Sequence, residues 1–224
     1  MDIHSRPIVC MVTDRHKFAG VDRSEGELLT DVVNQARRAG RANVDLIQVR
    51  EEALADSVLF DLVKRIISAV SGFRTRVIVN DRIDVAVATG AAGVHLKENS
   101  VSAMRVRSVV PKEWIIGRSV HDVEEAKRVC EAGGLDYLLF GTVFRTESKP
   151  GQEPNGVGML SMVCEAVELP VIAIGGVAVS NVRDIAGAGA TGVAGMSLFG
   201  SRTPDSAQSD LLVTVGSIRE AFLR

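Results

Sequence analysis

His121 stands immediately before Asp122-Val123-Glu124-Glu125, a helix start of the capping-box type, with Ser119 two residues upstream. An imidazole so placed has a proton affinity suited to moving protons near neutrality, and Ser119 could hydrogen-bond a ligand beside it. Taken alone, His121 reads equally well as a solvent-exposed loop histidine. A second group is glycine-rich: Ile174-Gly175-Gly176 and Gly195-Met196-Ser197 each close a short apolar run. Glycines there allow close approach and leave backbone N–H groups aimed at an anion, so Gly176, Met196 and Ser197 are expected to hold a phosphate. The plainer alternative is that the glycines only serve tight turns.

Gln48 and Arg50 flank Val49, so in an extended segment both point to one side. They would clamp a heteroaromatic ring or an anion, Arg50 through its bidentate fork. In Asn80-Asp81-Arg82 the aspartate could ligate Mg²⁺, which wants oxygen donors; equally, Asn80 or Asp81 could cap the helix that follows. Thr146, Ser148 and Lys149 precede Pro150-Gly151. Two hydroxyls and an ammonium could close over an anionic ligand, although a polar surface loop would look similar. His95 reads more simply as a hydrogen-bonded structural residue, and His4 and His16 have no supporting context.

Short apolar runs that alternate with helical patterns must position these residues. The runs Ile8–Thr13, Val44–Val49, Arg76–Val79, Gly93–Leu96, Trp114–Gly117, Tyr137–Gly141, Val171–Ile174 and Gly192–Met196 each read as a buried parallel strand. Between them lie stripes of helical spacing, clearest in Leu54, Val58, Leu62, Ile66 and Val70, and last in Leu211, Val215, Ile218 and Phe222. Ala88 to Val94 and Ala188 to Val193 share a pattern, which Glu131 to Tyr137 copies loosely: a helix ending on glycine, a short turn, then a strand. Eight such units in strict alternation predict a (β/α)8 TIM barrel in one domain over residues 1–224, since an open five- or six-strand sheet would leave two units unplaced. Chemistry in that fold sits where strands end, and the residues singled out above fall there. The segment from Thr142 to about Asn155 is longer than an ordinary connection, as binding loops and lids often are.

The composition narrows the function classes. At 46% hydrophobic and 24% charged residues the chain is a packed globular protein, and a net charge of −2 gives no reason to expect nucleic acid or an anionic membrane as a partner. There is no apolar run of membrane-spanning length and no apolar signal core in Met1 to Arg6. Cys10, Cys130 and Cys164 are odd in number and lack CxxC spacing, which argues against a disulfide framework or a zinc site. A cytoplasmic location is the expectation.

Six segments in order at the expected strand ends resemble the thiamine phosphate synthase/TenI superfamily. They are Val12-Thr13-Asp14-Arg15, Ile47-Gln48-Val49-Arg50-Glu51, Val79 to Asp84, Gly93-Val94-His95-Leu96, Gly141 to Pro150, and Ala173-Ile174-Gly175-Gly176. The resemblance implies one of two reactions. A synthase couples hydroxymethylpyrimidine pyrophosphate to thiazole phosphate with Mg²⁺. Gln48, Arg50 and Asn80 would then sit at the pyrimidine pyrophosphate and Asp81 at the metal. Two departures weaken that function: Glu52 stands where the family has a lysine, and Ser100 where it has a second metal-binding acid. Loss of that cation and that carboxylate would weaken stabilisation of a departing pyrophosphate.

Ile116 to His121 and Tyr137 to Gly141 resemble the TenI branch instead. Its members are thiazole tautomerases, which aromatise carboxythiazole phosphate by proton transfer and need no metal. By this resemblance His121 is the acid–base residue, Thr146, Ser148 and Lys149 form the closing loop, and Gly176, Met196 and Ser197 bind phosphate. The expectation is therefore a cofactor-free tautomerase, with the Mg²⁺-dependent synthase as its alternative and a non-catalytic binder of thiazole or thiamine phosphate as a third. A homodimer is implied by the resemblance alone.

Overall fold

Strands rich in Val, Ile, Leu and Ala bury both of their faces, and eight of them close on one another. The computed structural model describes residues 7–18, 23–148, 151–199 and 207–223. The strands are β1 (Ile8–Val12), β2 (Leu46–Val49), β3 (Arg76–Asn80), β4 (Gly93–Leu96), β5 (Ile115–Val120), β6 (Tyr137–Phe140), β7 (Val171–Ile174) and β8 (Gly192–Gly195). All pair in parallel with their sequence neighbours, and β8 returns to β1, so the sheet is a closed barrel with no free edge. The helices α1 (Glu25–Arg41), α2 (Asp56–Ala69), α3 (Ile83–Thr89), α4 (Ala103–Arg107), α5 (Val123–Ala132), α6 (Gly156–Ala166), α7 (Val182–Gly187) and α8 (Ala207–Ala221) alternate with them. This is the (β/α)8 fold that the alternating pattern predicts.

The period-2 alternation of each strand divides the core in two. Val9, Met11, Ile47, Val77, Val79 and Val94 face the helices and pack with Leu62, Val63, Ile66, Leu211, Val215 and Ile218. Ile8, Cys10, Val12, Leu46, Ile78, Ile115, Tyr137, Leu139, Ile172 and Ala194 fill the barrel interior. Tyr137 is too large for that space unless a neighbour gives way. Gly117 does so, since a Cβ there would lie 2.0 Å from the tyrosine ring.

Local signals behave as their chemistry requires. Ser24 and Glu27 form a reciprocal capping box at the start of α1, and Gly90 ends α3 in the left-handed region at φ +73°. Of the two readings left open for Asn80-Asp81, the cap fails: neither residue caps α3, whose N-cap is Arg82 without a side-chain cap bond. Asp81 itself adopts φ +55°, and its N–H donates to the His95 carbonyl at 2.8 Å. That turns the chain before the helix begins and leaves the carboxylate for other partners. β5 is also longer than expected, because Arg118, Ser119 and Val120 pair with Leu138, Leu139 and Phe140 of β6 and continue the strand.

Candidate active site

The alternation that fills the barrel interior also builds its mouth. Continuing each inward series by steps of two passes from Leu46 to Gln48 and Arg50, from Ile78 to Asn80, and from Gly93 to His95 and Lys97. The same step leads from Gly117 to Ser119 and His121, from Ile172 to Ile174 and Gly176, and from Ala194 to Met196. All these end residues from Gln48 onward line one cleft of about 720 Å³, which also takes Asp81, Thr146, Ser148 and Ser197. That volume suits a small phosphorylated heterocycle. The floor is apolar, from Val12, Leu139, Ile174 and Met196, and the walls are polar. Among the expected site residues only Lys149 lies outside the described residues.

His121 sits half-buried at the cleft wall with a fixed ring. Its Nδ1 lies 2.6 Å from the Gly141 carbonyl oxygen, which can only accept, so Nδ1 carries the proton and donates. Nε2 is then the lone-pair nitrogen, and it lies 3.9 Å from Oε2 of Glu98. The backbone is held as firmly: the His121 N–H donates to Glu125 at 2.8 Å, and Asn155 Nδ2 donates to the His121 carbonyl at 3.1 Å. Asp122 is the N-cap of α5, accepting from the Glu125 N–H at 2.7 Å. The helix start seen in the sequence therefore serves to orient the histidine.

His95, one layer deeper, has neither nitrogen free. Nδ1 pairs with the Tyr137 hydroxyl and Nε2 with Ser119 Oγ, each at 2.9 Å. Burial, reinforced by the charges of Arg50 and Arg118, pushes its pKa down to about 3. It is a neutral structural residue, and it fixes Ser119 at the cleft.

The wall from β2 to β4 is more cationic than the sequence suggests. Gln48 Nε2 donates to Asn80 Oδ1 at 3.3 Å, which leaves the buried Asn80 Nδ2 without a partner at the cleft. Arg50 Nε lies 3.3 Å from Glu52 Oε1, and Lys97 Nζ reaches the same oxygen at 3.2 Å. Glu52 stays below its ordinary range: partial burial opposes this, but the hydrogen bond from Lys97 and the charge of Arg50 outweigh it. Glu52 thus does not leave the wall short of a cation, because Lys97 supplies one from the end of β4, two strands away.

Asp81 Oδ1 accepts a short hydrogen bond from Ser100 Oγ, which in turn accepts from the Lys97 N–H at 2.8 Å. A resident Mg²⁺ fits these donors poorly. It asks for octahedral oxygens, and here one carboxylate is already engaged by a hydroxyl. Among the described residues no cluster of three or more His, Cys, Asp or Glu side chains is arranged to hold a metal.

The β7 and β8 side is built for close approach. Gly175 and Gly176 adopt φ +99° and +64°, and a Cβ on Gly176 would lie 2.4 Å from the Arg145 carbonyl oxygen. Asn181 braces this turn, its Nδ2 donating to the Gly176 carbonyl and its Oδ1 accepting from the Ala178 N–H. Ser197 opens a short 3-10 helix, where first-turn N–H groups have no partner within the helix. The loop after β6 crosses above: Phe144 N–H donates to the Gly175 carbonyl at 2.9 Å, and Glu147 reaches Lys17 at 3.5 Å. Thr146 and Ser148 line the cleft from this loop.

The chain is similar to known proteins in a consistent way. The profile of the family described as thiamine monophosphate synthase matches residues 9–199. The thiamine-phosphate synthase of Roseiflexus sp. (strain RS-1) is 36% identical over 213 residues, covering 94% of this chain and 86% of that protein. That of Methanoculleus marisnigri is 40% identical over 160 residues, covering 71% and 75%. The thiamine phosphate pyrophosphorylase structure from Pyrococcus furiosus superposes with a TM-score of 0.76 at 27% identity, over 94% of this chain and 96% of that one.

Proposed function

The chain belongs to the thiamine monophosphate synthase family and is an enzyme of thiamine biosynthesis, and we propose that its own step is the aromatisation of a carboxythiazole phosphate. The observation that carries this reading is the locked ring of His121, with Nδ1–H spent on the Gly141 carbonyl and Nε2 presented to the cleft. Nε2 takes the proton from the ring carbon that bears the carboxylate. The C–H electron pair enters the ring, and the exocyclic carbon of the former double bond receives a proton. No atom is gained or lost and aromaticity supplies the drive, so the protein needs a placed base, two anion sites and no metal.

The phosphate goes to Gly176, Met196 and Ser197, with Thr146 and Ser148 lining the cleft from the loop above. Asn80 Nδ2, Arg50 and Lys97 suit the carboxylate at the opposite wall. Gln48 holds Asn80 in place, and Ser119 contacts the ring beside His121. In D₂O the wild-type protein should place deuterium on the exocyclic carbon. His121→Ala should slow conversion by roughly 10²–10⁴-fold, the usual worth of general acid–base catalysis. Conversion no faster than the protein-free control, or an unimpaired His121→Ala, rejects the reading.

Coupling of a pyrimidine pyrophosphate to thiazole phosphate is the second reading. The names of the relatives favour it, and so does one geometric fact: Lys97 and Arg50 put two cations on the wall where a pyrophosphate would lie. Against it stands the single carboxylate at Asp81, capped by Ser100. Mixing both precursors with Mg²⁺ and measuring pyrophosphate release separates the two. Stoichiometric release establishes coupling, and its absence beside active tautomer conversion establishes aromatisation.

A further inference from the structure

Arg118 is buried on β5, yet among the described residues it meets no carboxylate. Its Nη1 donates to the Val101 carbonyl at 3.0 Å, and its Nη2 donates to the carbonyls of Ser100 at 3.0 Å and Glu98 at 2.5 Å. Its Nε is buried without a partner. A buried guanidinium is costly unless its donors are satisfied, and here all the acceptors come from four consecutive residues. The cation therefore gathers the β4–α4 loop onto itself and fixes it. That loop carries Ser100 onto Asp81 and sets the Glu98 carboxylate at the cleft, 3.9 Å from His121 Nε2.

Proton transfer between two carbons poses a problem for a histidine held in this way. With Nδ1 committed to Gly141, only Nε2 can carry the migrating proton, and it must serve both the ring carbon and the exocyclic carbon. Glu98 stands roughly 1 Å beyond hydrogen-bonding distance from Nε2, within reach of a side-chain adjustment or one bridging water.

We propose that Glu98 is the second proton-carrying group of the site and that Arg118 is the residue that positions it. This rests on the aromatisation reading. His121 Nε2 takes the proton from the ring carbon and passes it to the Glu98 carboxylate. The Glu98 side chain is half exposed and exchanges that proton with solvent, then protonates the exocyclic carbon, so both side chains return to their starting states and the proton count is unchanged. Glu98 contacts the substrate, whereas Arg118 acts only through the loop.

The test is steady-state conversion of the carboxythiazole phosphate tautomer by wild type, Glu98→Gln, Glu98→Asp, Arg118→Met and Arg118→Lys, with folding followed by circular dichroism. Glu98→Gln should lower kcat by roughly 10²-fold or more, the low end of general acid–base catalysis, while KM changes by less than about threefold. Glu98→Asp should recover at least about tenfold of that loss, since it restores a carboxylate that a structural role would not require. Arg118→Met should lower kcat more than it raises KM, and Arg118→Lys should fall between Met and wild type. Should Glu98→Gln match wild type in kcat while His121→Ala is inactive, the proposal is overturned and aromatisation by His121 alone stands. A wild-type protein that converts nothing overturns the aromatisation reading itself, before any variant is compared. The Glu98 pair decides the matter even if the Arg118 variants fail to fold.

Discussion

Two histidines on neighbouring strands, both reached by the inward-facing step of two, have opposite chemistry because of what their ring nitrogens meet. His121 gives one nitrogen to a backbone carbonyl and keeps the other for the cleft. His95 gives both away and is held neutral by burial and by the nearby charges of Arg50 and Arg118. The second case has a measurable consequence. A histidine whose pKa falls on folding binds fewer protons in the native state, so stability is full above the unfolded value near 6.5 and is lost as pH falls towards about 3. Within that window His95 should contribute a slope of up to about 1.4 kcal/mol per pH unit. Denaturant titrations of wild type and His95→Gln across the acid range should show the variant with the shallower dependence. Equal slopes would mean that His95 protonates without penalty. At Gly176, where φ is +64° and the carbonyl of Arg145 closes the space above, Gly176→Ala should lose phosphate-ester binding by calorimetry while the barrel still folds.

The elements show which parts of the site a sequence can disclose. Strand alternation made the shared orientation of Gln48 and Arg50 legible, and helix-start chemistry marked the turn at His121. The contacts of Lys97 were not legible, because Lys97 and Glu52 are brought together only by the pairing of β2, β3 and β4. Charge counted along the chain therefore assigns to Glu52 a deficit that the fold corrects. The same blindness covers Arg118, whose three acceptors are backbone carbonyls and leave no trace in residue type. It covers Ser100 only in part: the missing acid is visible in the sequence, but the hydroxyl's bond to Asp81 is not.

On the aromatisation reading the β4–α4 loop is the element that keeps the mouth free of a metal, and a single change tests this. Ser100→Asp should create measurable Mg²⁺ binding in a calorimeter, where the wild type, with one engaged carboxylate, should bind far more weakly. Identical titrations for the two proteins would show that this loop does not control the metal. A neighbouring brace carries stability instead. Arg15 and Glu51 form a buried pair at 3.0 Å between the segments that follow β1 and β2. Arg15→Met leaves the buried Glu51 carboxylate without its counter-charge, though it keeps the hydrogen bond from the residue-15 backbone N–H, and should cost about 3 kcal/mol in denaturant titration.

At the scale of the whole barrel, the proposed reaction divides the mouth between two anion sites with the base between them. Glycine turns and helix-start N–H groups serve β7 and β8, side-chain cations and an unpartnered amide serve β2 to β4, and His121 stands on the wall that joins them. Closure of the sheet makes this division rigid, because every strand end is fixed by neighbours on both sides. A ligand that spans both sites binds the closed barrel and has nothing comparable to bind in the unfolded chain. It must therefore stabilise the fold by mass action, by about 2.7 kcal/mol at a hundredfold excess over its Kd. For a barrel of this size that is a rise in Tm of roughly 5–11 °C. A carboxythiazole phosphate should give the full shift at its own hundredfold excess. Inorganic phosphate, which meets only the β7 and β8 side, binds more weakly and should need a far higher concentration for the same shift. Combining Arg50→Ala with Lys97→Ala should move the carboxythiazole phosphate titration towards that of phosphate while leaving the phosphate titration itself unmoved. If the double variant displaced both titrations equally, the two ends of the mouth would be one site and not two.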